Sequence, residues 1–130
     1  MIEQGLQQEI NMVMTEARNR RLEFVTVEHL LLALLNMDDV ISFLRGKRVN
    51  IDELRAELDQ YIDSHTPIIS EDAEIDIVPT VGFQRVLQRS VYQAQSAQKN
   101  SVNAMNVFVS IFSEKESHAV YMLKLNNISR

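Results

Sequence analysis

The strongest constraint on the fold of this chain is that its sequence repeats itself. Adding 77 to a residue number carries Leu6 to Phe83, Ile10 to Leu87, Met14 to Val91 and Ala17 to Ala94. The same offset carries Val25-Thr26 to Val102-Asn103, His29 to Asn106, Leu30 to Val107 and Leu34 to Ile111. Beyond the next turn the offset becomes 79, pairing Val40-Ile41 with Ala119-Val120, Leu44 with Leu123 and Val49 with Ile128. A helical motif that cannot bury its apolar face alone is stabilised by a second copy of itself, so one motif used twice is the economical reading.

Within each copy the apolar residues recur at steps of three and four, the period of a helix. Leu6, Ile10, Val13, Met14 and Ala17 form one face of a helix over 2–20. Thr26 is placed to cap a second helix, about 27–36, by accepting the free amide of His29. That helix is apolar almost all round, which predicts burial between other helices. A third helix over 38–46 carries Val40, Ile41, Phe43 and Leu44, with Gly46 as its expected stop. A fourth opens at Asn50 or Asp52 and presents Ile51, Leu54, Leu58, Tyr61 and Ile62. Residues 65–79, HTPIISEDAEIDIVP, hold both prolines and the acids Glu71, Asp72, Glu74 and Asp76, and read as an irregular linker. Thr80 then caps another amphipathic helix, with Phe83, Val86, Leu87, Val91 and Ala94 on its inner face. The expected fold is all-α, one domain over 1–130, with a first repeat over 1–64, the linker at 65–79 and a second repeat over 80–130. The counterpart of IDELRAELDQYI would begin near Arg130, so the second repeat is expected to stand one helix short.

The adjacent Glu28 and His29 invite a catalytic or metal-binding reading. The repeat argues otherwise, because Asn106 stands where His29 does and Asn103 where Thr26 does. Asparagine cannot perform a histidine's acid–base chemistry, but both can hydrogen-bond at a helix entrance, so His29 is read as a capping residue. His29, His65 and His118 show no HExxH or HxH spacing, and no phosphate-binding glycine loop or GxSxG elbow is present. Neither a catalytic site nor a metal or cofactor is expected. The methionines at helical spacing read mostly as core filling. Arg18, Arg20 and Arg21 read as the basic end of a helix.

Composition narrows the partners. With no cysteine there is no disulfide or thiolate site, which fits a reducing compartment. A formal charge of −5 disfavours nucleic acid, and the longest apolar run, LLLALL, is too short to cross a bilayer. MIEQGLQQEINM lacks the pattern of a signal peptide. A cytoplasmic protein with neither nucleic-acid nor membrane partners is expected.

Three stretches, FVTVEHLLLALL, PTVGFQRVLQRSVYQAQS and VFVSIFSEKESHAVYMLKLNNISR, resemble the N-terminal domains of the Clp family, and the likeness runs over essentially the whole chain. TVEHLLLALL marks the family at large; PTVGFQRVLQR followed by IFSEKES is closer to the ClpA type than to the ClpC or ClpB types. The resemblance implies two four-helix repeats with pseudo-twofold symmetry. It implies a non-catalytic docking domain of an AAA+ unfoldase, binding the adaptor ClpS, which delivers N-degron proteins, and helping to receive protein substrates. ATP and Mg, and contact with the ClpP peptidase, would belong to other parts of such a parent protein. Alternatives are a direct peptide- or substrate-binding helical domain and an oligomerisation module of a ClpC- or ClpB-like chaperone. Some relatives carry zinc-binding histidines in the first helix–loop segment, which here reads RNRRLEF, so no zinc ligands are assigned.

The resemblance makes Glu23 and Glu28 candidate adaptor contacts. Both are expected to be solvated and dispensable to stability, Glu28 favoured at a helix N-terminus. It also points to Thr80, Arg85 and Arg89 as partner-binding residues. The arginines are four apart and so share a helix face away from the apolar one.

Overall fold

A computed structural model describes residues 2–70 and 76–129 of the chain. The linker acids Glu71, Asp72 and Glu74 lie outside the described residues. The first repeat contains α1 (Gln4–Asn19), β1 (Phe24–Val25), α2 (Val27–Leu34), α3 (Asp38–Gly46) and α4 (Ile51–His65). After β2 (Val78–Pro79), the second contains α5 (Val81–Ser96), α6 (Ala104–Ile111) and α7 (His118–Leu125). The helices α1 and α5 are related by the 77-residue offset at both ends, and so are α2 and α6.

The offset governs the turns as well as the helices. Arg21 and Gln98, 77 apart, both adopt the left-handed conformation at φ 58°, and Arg48 and Asn127, 79 apart, both do so at φ 62°. Each lets the next amide bond back to the helix it leaves: Leu22 to the Ala17 carbonyl (3.1 Å), Lys99 to Ala94 (2.9 Å), Val49 to Leu44 (3.0 Å) and Ile128 to Leu123 (2.9 Å). These closures satisfy carbonyls that a helix end would leave bare. Gly46, the expected stop, lies instead within the last turn of α3, and Arg48 takes the left-handed position.

The two repeats exchange short strands reciprocally. Val25 pairs with Pro79 in a parallel ladder, and the Thr80 amide donates to the Val25 carbonyl at 3.0 Å. Shifted by 77, the same contact reappears as an Ile2–Val102 bridge, with the Glu3 amide donating to Val102 at 2.9 Å. The all-α expectation therefore gains one two-residue parallel pair. The linker expectation is corrected too. Pro67 accepts the Glu23 amide at 2.8 Å, the Ile69 amide donates to Arg21 at 2.7 Å, and Ile77 is buried. The described parts of 65–79 are stitched along the 20–25 turn, because backbone groups lying against protein need partners.

The core is centred on α2 and α6, the two helices that are apolar on nearly every side. Leu30, Leu31, Leu34 and Leu35 meet Val107, Phe108 and Ile111 there, all essentially inaccessible. Phe108 stands edge-on between Phe43 and Phe112, with centroids 5.8 and 5.5 Å away. On the other side Leu54, Leu58 and Ile62 of α4 close over α2. Each aliphatic side chain so buried contributes about 1.5–3 kcal/mol of transfer free energy.

Candidate docking site

The capping boxes fix where the site residues stand. At the head of α2 the His29 amide donates to Thr26 Oγ1, and the Thr26 amide donates to His29 Nδ1 at 3.0 Å. At the head of α6 the reciprocal pair is Asn103 and Asn106, each bond 2.9 Å. The capping reading of His29 holds.

Four of the five sequence-identified residues divide into two groups. Thr80 caps α5 by accepting the Phe83 amide at 3.2 Å, and its own amide is tied to β1. Glu23 lies one residue before β1, half-buried, its carbonyl accepting the Val78 amide at 3.0 Å. Glu23 and Thr80 therefore flank the same strand pair. Along α5, Arg85 and Arg89 both turn to Glu114 in the α6–α7 turn. Arg85 holds it with two bonds, Nη2 to Oε1 at 2.6 Å and Nε to Oε2 at 3.2 Å, while Arg89 Nη2 stands 3.5 Å from Oε2. Arg89 also donates to the Ser110 carbonyl at 3.4 Å. The hydrogen bond from Arg85, reinforced by both arginine charges, holds the Glu114 carboxyl below its usual range and raises the Arg85 guanidinium above its own. The arginines are thus a clamp rather than a loosely solvated pair.

Glu28 departs from expectation. Only 7% exposed, its Oε2 accepts the amide of Ala119 at 3.0 Å, in the first turn of α7. A carboxylate there satisfies a buried amide and faces the positive end of the helix dipole. The expectation that Glu28 is a solvated acid dispensable to stability is therefore corrected: it joins the two repeats across 91 residues of sequence.

Sequence reasoning missed Glu114 and Gly82. A Cβ on Gly82 would stand 3.1 Å from Val27 Cγ2 and 3.2 Å from Glu114 Oε1, so the glycine lets α5 approach α2 and the clamp. Nothing in the spacing of Glu114, 29 residues from Arg85, signals the contact. Beyond the clamp, Val81 and Tyr92 on α5 are 65% and 70% exposed, and Val78 in β2, three residues before Val81, is 47% exposed. Val81, Arg85, Gln88 and Tyr92 follow each other at steps of four, three and four, a single outward stripe. Among the described residues no three His, Cys, Asp or Glu side chains gather as a metal site, and no helix is long and apolar enough to cross a membrane.

Comparison with known proteins gives this geometry a setting. Residues 1–126 match the Clp repeat (R) N-terminal domain. The ClpA homolog protein of Fuscovulum blasticum is 36% identical over 126 residues, which cover 96% of this chain and 16% of that protein's length. The fold matches the N-terminal domain of Hsp104 from Candida albicans with a TM-score of 0.82 at 12% identity, over 98% of this chain and 83% of that one. It matches the N-terminal domain of ClpD from Arabidopsis thaliana with a TM-score of 0.72 at 19% identity, over 98% and 86% of the two chains.

Proposed function

This chain belongs to the Clp N-terminal domain family, and from that membership we propose that it is the non-catalytic docking domain of a ClpA-type AAA+ unfoldase. In this reading it binds the adaptor ClpS, helps to receive protein substrates, and passes them to ATPase modules and a ClpP-type peptidase elsewhere in the assembly. The cytoplasm is the proposed location.

The observation that supports the reading best is the α5 stripe. Large apolar side chains left exposed at helical spacing around a fixed arginine suit a protein interface, where aromatic and arginine residues carry most of the binding energy. Glu114 holds Arg85 in one orientation, so little side-chain entropy remains to be lost when a partner docks. Glu23 and Thr80, at the near end of the same surface, extend it over the β1–β2 edge.

Titration of the domain with purified ClpS tests this. A saturable complex is expected, weakened about tenfold or more by the double change Val81→Ser with Tyr92→Ser, as loss of ~1–2 kcal/mol at an interface implies. Arg85→Ala should weaken it several-fold with the far-ultraviolet spectrum unchanged. Absence of a saturable complex with the unaltered domain, or affinity untouched by all three changes, overturns the assignment. Saturable binding of an unfolded polypeptide without ClpS, lost in the same variants, would move the stripe to direct substrate reception.

A further inference from the structure

The capping boxes of the two repeats are equivalent, but among the described residues only the one at α2 leaves a buried side-chain nitrogen without a partner. Asn106 shows what the cap requires: one side-chain oxygen accepting the Asn103 amide. His29 meets that need with Nδ1, which accepts from the Thr26 amide at 3.0 Å. With Nδ1 acting as acceptor, the neutral ring carries its proton on Nε2, a donor directed away from the cap. Nε2 is buried and has no protein acceptor, and among the described residues no other buried side-chain nitrogen or oxygen lacks a partner. The His29 residue as a whole is 3% exposed. A buried donor without an acceptor is costly, and capping alone does not call for it.

The ring lines a cleft of about 120 Å³ between α1, α2 and α4. Arg20, just past the end of α1, and Arg55 from α4 flank it, and Ala17 and Leu32 supply apolar wall. Both guanidinium groups are held in place: Arg20 by Asp63, and Arg55 by Asp52 at 3.4 Å, the Leu35 carbonyl at 3.1 Å and Asn36 Oδ1 at 3.2 Å. These contacts leave further N–H groups on each fork. Arg20 stands near enough for its charge to act on the imidazole. Glu16 and Asp59, both exposed, complete the charged lining, so the surroundings carry no excess of positive charge. Recognition therefore rests on directed N–H groups, not on bulk positive charge.

We propose that the cleft between α1, α2 and α4 is a binding site for a small oxyanion or carboxylate, accepting from His29 Nε2–H and from the guanidinium groups of Arg20 and Arg55. A cation is disfavoured because the buried imidazole nitrogen and both guanidinium groups present donors. In the second repeat Asn106 stands in place of His29, and among the described residues no buried side-chain nitrogen or oxygen is left without a partner there. The same chemistry could be presented by a free anion or by the carboxylate of a bound polypeptide.

The test follows the His29 Nε2–H resonance in the chain labelled with nitrogen-15 at histidine. Sodium phosphate and sodium acetate are added, with sodium chloride at matched ionic strength as reference, and then one peptide sequence with a free or an amidated C-terminus. A saturable shift with phosphate or acetate, absent with chloride, is expected. Arg20→Gln should weaken it several-fold. His29→Asn, which keeps the cap in its second-repeat form, should remove the accompanying rise in melting temperature. A shift with the free peptide but not the amidated one assigns the carboxylate to polypeptide; a shift with the small anions alone assigns a free anion. The proposal fails if the resonance is unmoved by every probe, moves equally with chloride, or shows only exchange with water.

Discussion

The two repeats are built to one plan but are not finished alike, and the places where they diverge are the places with something to do. The lengths of α1 and α5 and of α2 and α6, the left-handed turn positions, the capping boxes and the reciprocal strand contacts recur at the 77- or 79-residue offset. Such features are dictated by what a helix end or an exposed backbone amide needs, and any copy must supply them. The side chains that meet those needs differ between the copies. His29 faces Asn106 across the symmetry and Glu28 faces Met105, while the identical pair Gly5 and Gly82 meets different surroundings. The shared backbone geometry holds the fold, while differences in side chain and surroundings build the cleft, the inter-repeat lock and the clamped α5 surface.

The sharpest way to break the comparison is to give the first repeat the second repeat's cap. Burial, aided by the Arg20 charge, lowers the His29 pKa from 6.5 to about 4. The unfolded chain therefore takes up a proton at a higher pH than the folded one. The domain is unpenalised above pH 6.5 and loses stability as pH falls from there to about 4. At about 1.36 kcal/mol per unit, the loss reaches roughly 3 kcal/mol at the acid end. His29→Asn should be nearly neutral at pH 7 and should flatten this part of the pH–stability curve, measured by urea unfolding. A variant curve that falls as steeply as the parent's would place the titration in another group.

Much of this difference was legible before the structure, because caps and apolar periods are local. Thr26 and His29 are three residues apart, and so are Asn103 and Asn106; a single helix turn decides their geometry. The left-handed turns escaped notice because Arg21, Arg48 and Gln98 carry no glycine signal; only Asn127 is a residue type enriched in that conformation. Partners distant in sequence escaped entirely. Glu28 reads as a solvated acid at a helix start until α7, 91 residues on, is seen to bring its Ala119 amide there. Arg85 and Arg89 read as an exposed face until the α6–α7 turn delivers Glu114.

The second break exchanges the inter-repeat lock. Glu28→Met installs the residue that occupies the equivalent place in the other copy. It removes the acceptor of the buried Ala119 amide and the negative charge facing the α7 dipole, while Ser117 still caps that helix through the Val120 amide. The expected cost is about 2 kcal/mol, within the ~1–3 kcal/mol of a buried group left unpaired. Thermal unfolding measures it, and amide exchange at Ala119 should rise more than exchange in α2. A change in melting temperature of less than a degree would mean that the amide finds another acceptor, and the lock would be redundant.

The smallest effect sharpens the comparison most, because sequence position is identical and only the surroundings differ. Gly5 and Gly82 are each the second residue of a 16-residue helix, α1 and α5. At Gly5 an added Cβ meets only the tip of Met37, at 4.0 Å. Gly5→Ala should therefore stabilise by about 0.5 kcal/mol, the low end of the usual helix gain because the site is near a terminus. At Gly82 the same methyl lies 3.1 Å from Val27 Cγ2 and 3.2 Å from Glu114 Oε1. Val27 is buried and β-branched, so it has little room to turn, and Glu114 is held by two arginines. Crowding offsets the helix gain, and Gly82→Ala should be net destabilising by about 1 kcal/mol, at the low end of overpacking. The two glycine-to-alanine changes should thus move the melting temperature in opposite directions. Equal stabilisation by both would show that Glu114 swings aside freely, and the rigid arginine on α5 would lose its support.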